Sequence, residues 1–172
     1  MANQFPERVA LITTVRTKLV AWVTSDLITE RTFNAMNPEL AELDPPVGKC
    51  ENPLIYSILL LENDKHIGMC CLYNLESNKE LEYGMPVVKQ RVEYGIRIFD
   101  SNYWNAGYGR EITNAMCVFA FSTNGHLKEV YLKTPLSNKR AQACYYKCGF
   151  TAYDSGFVDG VSMIFMRRPR DK

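Results

Sequence analysis

A glycine turn between a strand-like segment and a helix-like segment constrains the fold of this chain more than any other feature. The turn reads Tyr-Trp-Asn-Ala-Gly-Tyr-Gly-Arg at residues 103–110. Residues 92–99 before it alternate between apolar and polar side chains, as strands do. Apolar residues with helical spacing follow it: Ile112, Ala115, Met116, Phe119 and Ala120. This order aims unpaired backbone N–H groups at an anion, so the sequence predicts a phosphate-bearing ligand.

The turn does not fit two common nucleotide-binding motifs. A dinucleotide fingerprint requires a third glycine three residues after Gly109, where the chain has Ile112. A nucleotide-triphosphate loop requires Lys and then Ser or Thr after its last glycine, but Arg110 and Glu111 follow Gly109. The glycine pair alone leaves open a plain tight turn that packs a helix on a strand.

A second motif follows the strand-like segment 130–133. In residues 137–150, Ser137 or Asn138 can cap a helix and Gly149 can end it. With both motifs in this order, the chain resembles the GCN5-related N-acetyltransferase (GNAT) superfamily. Within it, the chain is similar to the branch of ribosomal-protein and spermidine acetyltransferases. The resembling residues are Glu93-Tyr94-Gly95-Ile96, Tyr103-Trp104, Gly107-Tyr108-Gly109, Asn138, Arg140-Ala141, Tyr145 and Cys148-Gly149-Phe150.

The resemblance is strongest over residues 91–152 and has one departure. Most of the superfamily carries Gln or Arg three residues before the first glycine, where this chain has Trp104. A Tyr-Trp pair at this place is common in the branch named above. The departure removes one side-chain contact to a bound diphosphate.

The resemblance implies a mixed α/β class, the GNAT fold, with a twisted mixed sheet of six to seven strands and helices on both faces. The pattern along the chain predicts the order β-α-α-β-β-β-α-β-α-β-β, with a first strand over 18–23 and a short helix and loop within 37–49. The length of 172 residues and the 47% hydrophobic content suit a single domain, residues 1–172.

The resemblance also implies acetyl-CoA (coenzyme A) as co-substrate. Its diphosphate is expected on the backbone N–H groups of Asn105, Ala106, Gly107, Tyr108, Gly109 and Arg110. The main chain of a bulged or splayed central strand, at Arg97, Ile98 and Phe99, is expected to contact the thioester carbonyl and the pantetheine arm. Asn138 resembles a position that binds this arm, with helix capping as its alternative role.

Two side chains are candidates for the chemistry of acetyl transfer. The resemblance implies that Tyr145 lies beside the cofactor sulfur, where a phenol that stays protonated at neutral pH can donate a proton to the leaving thiolate. Its alternative role is that of a core tyrosine. Glu93 is the candidate general base, directly or through water, and its alternative role is an ion pair with Arg91 or Arg97. Glu76 and Glu82 are weaker candidates for the base.

Composition excludes several functional classes. Twenty basic and 19 acidic residues give a formal charge of +1, which argues against nucleic-acid binding through bulk charge. No apolar run approaches about 20 residues, so no membrane span is expected. Six cysteines without a Cys-x-x-Cys pair predict free thiols in a cytoplasmic protein. His66 and His126 lack ligand spacing to a cysteine, so no metal site is expected.

The expected function is N-acetyl transfer from acetyl-CoA to a primary amine by direct attack in a ternary complex. The alternative is a non-catalytic acyl-CoA-binding or regulatory module that keeps the phosphate turn. The acceptor stays open among a protein N-terminus, a polyamine, an aminoglycoside and an amino acid. A homodimer through the apolar terminal hairpin is a further possibility.

Overall fold

The computed structural model describes residues 9–36, 54–73 and 90–171 of the 172-residue chain. Within these ranges, eight strands form one sheet and three α-helices pack on it. The strands are β1 (Ala10–Thr13), β2 (Thr17–Ala21), β3 (Leu54–Leu60), β4 (His66–Tyr73), β5 (Arg91–Ile98), β6 (Glu129–Pro135), β7 (Thr151–Val158) and β8 (Val161–Pro169). The helices are α1 (Asp26–Met36), α2 (Tyr108–Thr123) and α3 (Lys139–Lys147), and a 3-10 turn covers Ser101–Tyr103.

The sheet is mixed, in the order β1-β2-β3-β4-β5-β6-β8-β7. Neighbouring strands are antiparallel except β5 and β6, which run parallel. The predicted α/β class and mixed sheet are therefore confirmed, but the predicted count of six to seven strands is too low. The additional strand is β1, whose four residues are mostly exposed, so that only its pairing with β2 defines it. The helix predicted within 37–49 lies outside the described residues.

Helices cover both faces of the sheet. Ile112, Met116 and Ala120 of α2 are buried, and Tyr56 of β3 packs edge-on against Phe119 of the same helix. Ser57, the next residue of β3, donates a hydrogen bond of 2.6 Å to Asp26 at the start of α1. Because successive strand residues point to opposite faces, α1 and α2 lie on opposite sides of the sheet, as predicted.

The parallel pair β5–β6 stays in register for only three residues. The partners are Arg91 with Glu129, Val92 with Val130 and Glu93 with Tyr131. Both strands continue beyond this point, to Ile98 and Pro135, but they no longer pair with each other. The sheet therefore opens into a cleft between two of its central strands.

Gly68 of β4 permits an unusually close approach of β5. A Cβ atom at Gly68 would overlap the carbonyl oxygen of Arg97 and lie 3.0 Å from Cα of Ile98. Both are backbone atoms, which a side-chain rotation cannot move away. Gly68 therefore holds β4 against the part of β5 that borders the cleft.

We expect Gly68→Ala to lower the free energy of unfolding by about 1–3 kcal/mol, because the added methyl forces the backbone of β5 to shift. Gly125→Ala is the matched control, since no atom lies within 4 Å of its added Cβ, and its effect should stay within about 0.5 kcal/mol. Urea denaturation followed by fluorescence measures both. Equal stabilities of the two variants would contradict the proposed contact.

Candidate active site

A cavity of about 630 Å³ occupies the cleft between β5 and β6. Its walls come from β5, β6, the turn before α2, and α3. The volume falls in the range of about 300–1,000 Å³ that is usual for small-molecule sites. Both sequence motifs therefore meet at one place, although they lie far apart in the chain.

The β5 wall presents backbone donors to the cleft. The N–H group of Phe99 donates to Ile67 on the β4 side, at 2.8 Å. Because N–H groups alternate in direction along a strand, those of Ile96 and Ile98 point the other way, toward the cleft. Of the three residues whose main chain was expected to contact the cofactor, Arg97 and Ile98 line the cavity and Phe99 does not. By the same alternation the amide of Arg97 faces β4, as that of Phe99 does, so Ile98 is the one of the three whose amide points toward the cleft. Ile96 also lines it and was not among the expected residues.

The glycine turn supplies a second set of donors. Gly107, at φ +88°, precedes the first turn of α2 in a left-handed conformation that favours glycine. The first intrahelical bond runs from Glu111 N–H to the Gly107 carbonyl, at 3.1 Å. The amides before Glu111 have no acceptor within the helix and add to the positive end of its dipole. This geometry suits an anion.

The residues whose amides were expected to bind the diphosphate fall into two groups, those that line the cavity and those that do not. Asn105, Gly107, Gly109 and Arg110 line the cavity. Ala106 and Tyr108 are absent from its wall: the carbonyl of Ala106 accepts a hydrogen bond from Arg16, and Tyr108 packs edge-on against Tyr103. Arg16 was not identified from the sequence, because it lies 90 residues from Ala106.

Trp104 joins the two walls of the cleft. Its indole N–H donates to the carbonyl of Ile98 at 2.9 Å, and the guanidinium of Arg140 from α3 lies 3.6 Å from the centre of its ring. Both Trp104 and Arg140 line the cavity. The residue that departs from the superfamily pattern is thus part of the wall.

Helix α3 is fastened to the end of β6 by side-chain hydrogen bonds. Asn138 caps the helix through its Oδ1 atom, which accepts from Ala141 N–H at 3.1 Å. Gln142 donates to the carbonyls of Pro135 and Leu136, at 3.0 and 2.9 Å. The cap uses only the oxygen of the Asn138 amide, and this residue also lines the cavity. Its nitrogen therefore stays available as a donor.

Tyr145 faces the interior of the cleft. It lines the cavity, is 7% exposed and has its ring 5.9 Å from that of Phe150. The adjacent Tyr146 is 51% exposed. The helical face predicted from the sequence is therefore the inward one, and Tyr145 is the tyrosine of the pair that reaches the cavity.

Glu93 lies at the closed end of the cleft, where β5 and β6 begin to diverge. It is 3% exposed and does not line the cavity. Its Oε2 accepts from the hydroxyl of Tyr131 at 3.0 Å, and its Oε1 lies 3.3 Å from Nζ of Lys133. The expected alternative was a pair with Arg91 or Arg97 on the same strand. The ion pair with Lys133 comes from β6, and Lys133 itself reaches the cavity wall.

Two thiols, Cys144 on α3 and Cys148 immediately after the helix, lie beside the glycine turn. Cys144 lines the cavity, and its Sγ would lie 3.5 Å from a Cβ at Gly109. A hydrogen bond from Cys148, together with the charges of Lys147 and Arg110, lowers the pKa of Cys144 to about 7 against the opposing effect of burial. The same bond and burial raise the pKa of Cys148. All five cysteines within the described ranges are free thiols, as predicted: Cys70, Cys71, Cys117, Cys144 and Cys148.

Among the described residues, no group of three or more His, Cys, Asp or Glu side chains is arranged to hold a metal ion. None of the described helices has the length and apolar character needed to cross a membrane.

Solved structures with this fold are numerous. The aminoglycoside acetyltransferase AAC(6')-Ib in complex with coenzyme A and kanamycin has a TM-score of 0.70 at 17% identity, over 90% of this chain and 95% of that one. The spermidine N-acetyltransferase from Vibrio cholerae, in complex with CoA and spermine, has a TM-score of 0.67 at 18% identity, over 89% and 95%. A GNAT-family acetyltransferase from Bacillus anthracis has a TM-score of 0.71 at 13% identity, over 92% and 97%. At these identities the likeness establishes the fold.

The sequence itself matches a family model described as an acetyltransferase (GNAT) domain, over residues 13–151. A comparison with curated proteins found no significant match. The family model does not distinguish the branch of ribosomal-protein and spermidine acetyltransferases, which stays a prediction. Because the match covers most of the chain, and the cleft lies between the two motifs, the chain belongs to the GNAT acetyltransferases, acyltransferases that use acetyl-CoA as co-substrate.

Proposed function

We propose that this protein transfers the acetyl group of acetyl-CoA to a primary amine, by direct attack within a ternary complex. The observation that carries the proposal is the cavity between β5 and β6. It has helix N-terminal amides at one end and Tyr145 in its wall. A thioester carrier with a diphosphate at one end and a reactive sulfur at the other matches this arrangement.

The charge of the cavity supports a polyanionic carrier. Five cationic residues line it, and no carboxylate is found among its described lining residues. The five are Arg97, Arg110, Lys133, Arg140 and Lys147. The diphosphate would lie on the amides of the glycine turn. The pantetheine arm would run along β5, where the amides of Ile96 and Ile98 and the Nδ2 atom of Asn138 can bind its polar groups.

Tyr145 is proposed as the general acid. The leaving thiolate needs a proton, and a phenol ordinarily keeps its proton at neutral pH. Among the described residues, Cys144 is the thiol in the cavity wall, and it lies beside the glycine turn that would hold the diphosphate rather than the thioester. Direct attack therefore fits this geometry better than an acyl-enzyme on Cys144.

Glu93 is proposed as the base that receives the proton of the amine through water. Direct contact with an acceptor is disfavoured, because the carboxylate is 3% exposed and both of its oxygens face groups from β6. Tyr131 and Lys133 hold it at the point where the cleft begins. A water molecule at the cavity wall would connect the acceptor amine with this carboxylate.

The acceptor is proposed only as a primary amine, such as a protein N-terminus, a polyamine or another small amine. Two solved structures of the same fold hold an aminoglycoside and spermine, which shows the range of amines that the fold accommodates. Six acidic residues lie in the two connections 37–49 and 74–89, outside the described residues, and the sequence favours them as solvated loop charges over attraction of a cationic amine. They are Glu39, Glu42, Asp44, Glu76, Glu80 and Glu82.

Two further proposals concern the setting of the enzyme. A cytoplasmic location agrees with the five free thiols of the described ranges. A homodimer through the terminal hairpin agrees with the position of β7 at one edge of the sheet and with the 74% exposure of Phe157.

Thiol release from acetyl-CoA with a panel of primary amines tests the function and the role of Tyr145 together. We expect turnover with at least one amine, and a decrease in kcat of roughly 10²–10⁴-fold for Tyr145→Phe, because the leaving thiolate loses its proton donor. Tyr146→Phe is the matched control and should keep the wild-type rate. Binding of acetyl-CoA without turnover on any amine would favour the non-catalytic module instead.

The base role predicts a decrease in kcat for Glu93→Gln of roughly 10²–10⁴-fold, with the affinity for acetyl-CoA little changed. Glu129→Gln is the control, since Glu129 is also a buried carboxylate on the same face but lies two residues before Tyr131, away from the cleft, and pairs with Arg167. Steady-state kinetics with both substrates varied separates the two effects. If Glu93→Gln and Glu129→Gln retain equal kcat, Glu93 is a structural ion-pair residue.

Cys144 reports on whether the cavity holds coenzyme A. Alkylation by iodoacetamide should increase as the pH rises through about 7 and then level off, because the thiolate is the reactive form. Saturating CoA should slow this reaction by at least about tenfold, since Cys144 lies against the turn that would bind the diphosphate. Mass spectrometry of digests follows Cys144, with buried Cys70 as an internal control. Undiminished alkylation in the presence of CoA would contradict the proposed placement.

A further inference from the structure

Arg16, in the turn between β1 and β2, reaches the first turn of helix α2. Its backbone N–H donates to Glu111 Oε1 at 2.8 Å, and its Nε donates to Glu111 Oε2 at 2.8 Å. The hydroxyl of Thr14 donates to Oε1 as well. Both oxygens of one carboxylate are thus bound by the short connection between β1 and β2. A bidentate arrangement of this kind restricts orientation as well as distance.

The same guanidinium also holds the other end of the glycine turn. Its Nη1 donates to the carbonyl of Ala106 at 2.9 Å, and its carbon lies 4.0 Å from the centre of the Tyr108 ring. Its Nη2 lies over Gly107, 3.3 Å from the position of an added Cβ. Arg16 therefore bridges residues 106 and 111, which bracket the amides that would receive the diphosphate.

Glu111 presents an electrostatic difficulty for anion binding. A carboxylate in the first turn of α2 is stabilised by the positive end of the helix dipole, but it repels a phosphate bound at the same end. Burial tends to raise the pKa of Glu111, but the hydrogen bonds from Thr14 and Arg16 outweigh it and lower the pKa. The group is therefore anionic at neutral pH, and Arg16 is the cation that compensates it.

We propose that Arg16 is a positioning residue for the diphosphate of coenzyme A. It holds residues 106–111 in the shape that binds an anion, and it offsets the charge of Glu111. The inference rests on the proposed function, because it assumes that the glycine turn receives the diphosphate. Arg16 contacts the turn and not the reacting atoms, so its effect is on binding of the carrier.

A donor without phosphates separates this role from a general structural one. For Arg16→Met, we expect the dissociation constant of CoA, measured by calorimetry, to rise by about tenfold or more. The kcat/KM for acetyl-pantetheine, which lacks the diphosphate, should change less than about twofold. Arg170→Met is the matched control. Arg170 binds the carbonyls of Phe121, Asn124 and Leu127 at the opposite end of α2, and its loss should affect stability without this selectivity.

Equal losses for CoA and for acetyl-pantetheine, or an unchanged CoA affinity in Arg16→Met, would overturn the inference. If Arg16→Met does not fold, Arg16→Lys gives the same comparison, since lysine keeps the charge but cannot bridge Glu111 and Ala106 together. A wild-type protein that binds CoA but acetylates no amine would refute the proposed function and leave the binding test of Arg16 valid. A wild-type protein that does not bind CoA would overturn both.

Discussion

The early end of backbone pairing between two parallel strands creates the cavity on which the other features of this protein depend. β5 and β6 pair over three residues and then diverge, although both continue as strands. Backbone donors that face a gap rather than a partner strand are costly when they are buried, unless water or a ligand satisfies them. Helix α2 follows β5 and helix α3 follows β6, so both helices begin at the borders of the gap. This topology brings the glycine turn and the helix of Tyr145 to one cavity.

Polar contacts hold the cleft at both of its ends. At the closed end, Glu93 of β5 is bound by Tyr131 and Lys133 of β6, immediately where the register ends. At the open end, Arg16 and Glu111 join the first hairpin to α2. A buried pair such as Glu93 with Lys133 adds little net stability but is destabilising to break, so it restricts the shape of the site rather than strengthens the fold. Trp104 with Arg140 supplies a further link, between the turn and α3.

Local signals predicted much of the fold and part of the site. Helices α2 and α3 begin after Gly107 and Asn138, as the sequence pattern predicted. This prediction succeeds because the capping of a helix depends on residues that are close together in the chain. Other expectations were incomplete. Strand β1 has no buried side to produce an alternating pattern. The amide of Phe99 faces β4 and not the cleft. The pairing with β4 decides which amides at this end of β5 face the cleft, and the side-chain pattern does not record that pairing. Lys133, which pairs with Glu93 from β6, was not among the partners expected from the sequence.

The sequence by itself determined the family, the two motifs and the inward position of Tyr145, because helical spacing and turn chemistry act over a few residues. Tertiary structure decided which distant groups share the cavity. Arg16 reaches Ala106 across 90 residues, and Cys144 lies against Gly109 only because α2 and α3 pack together. Contacts between segments far apart in the chain depend on strand order and register, which no local pattern of side chains records.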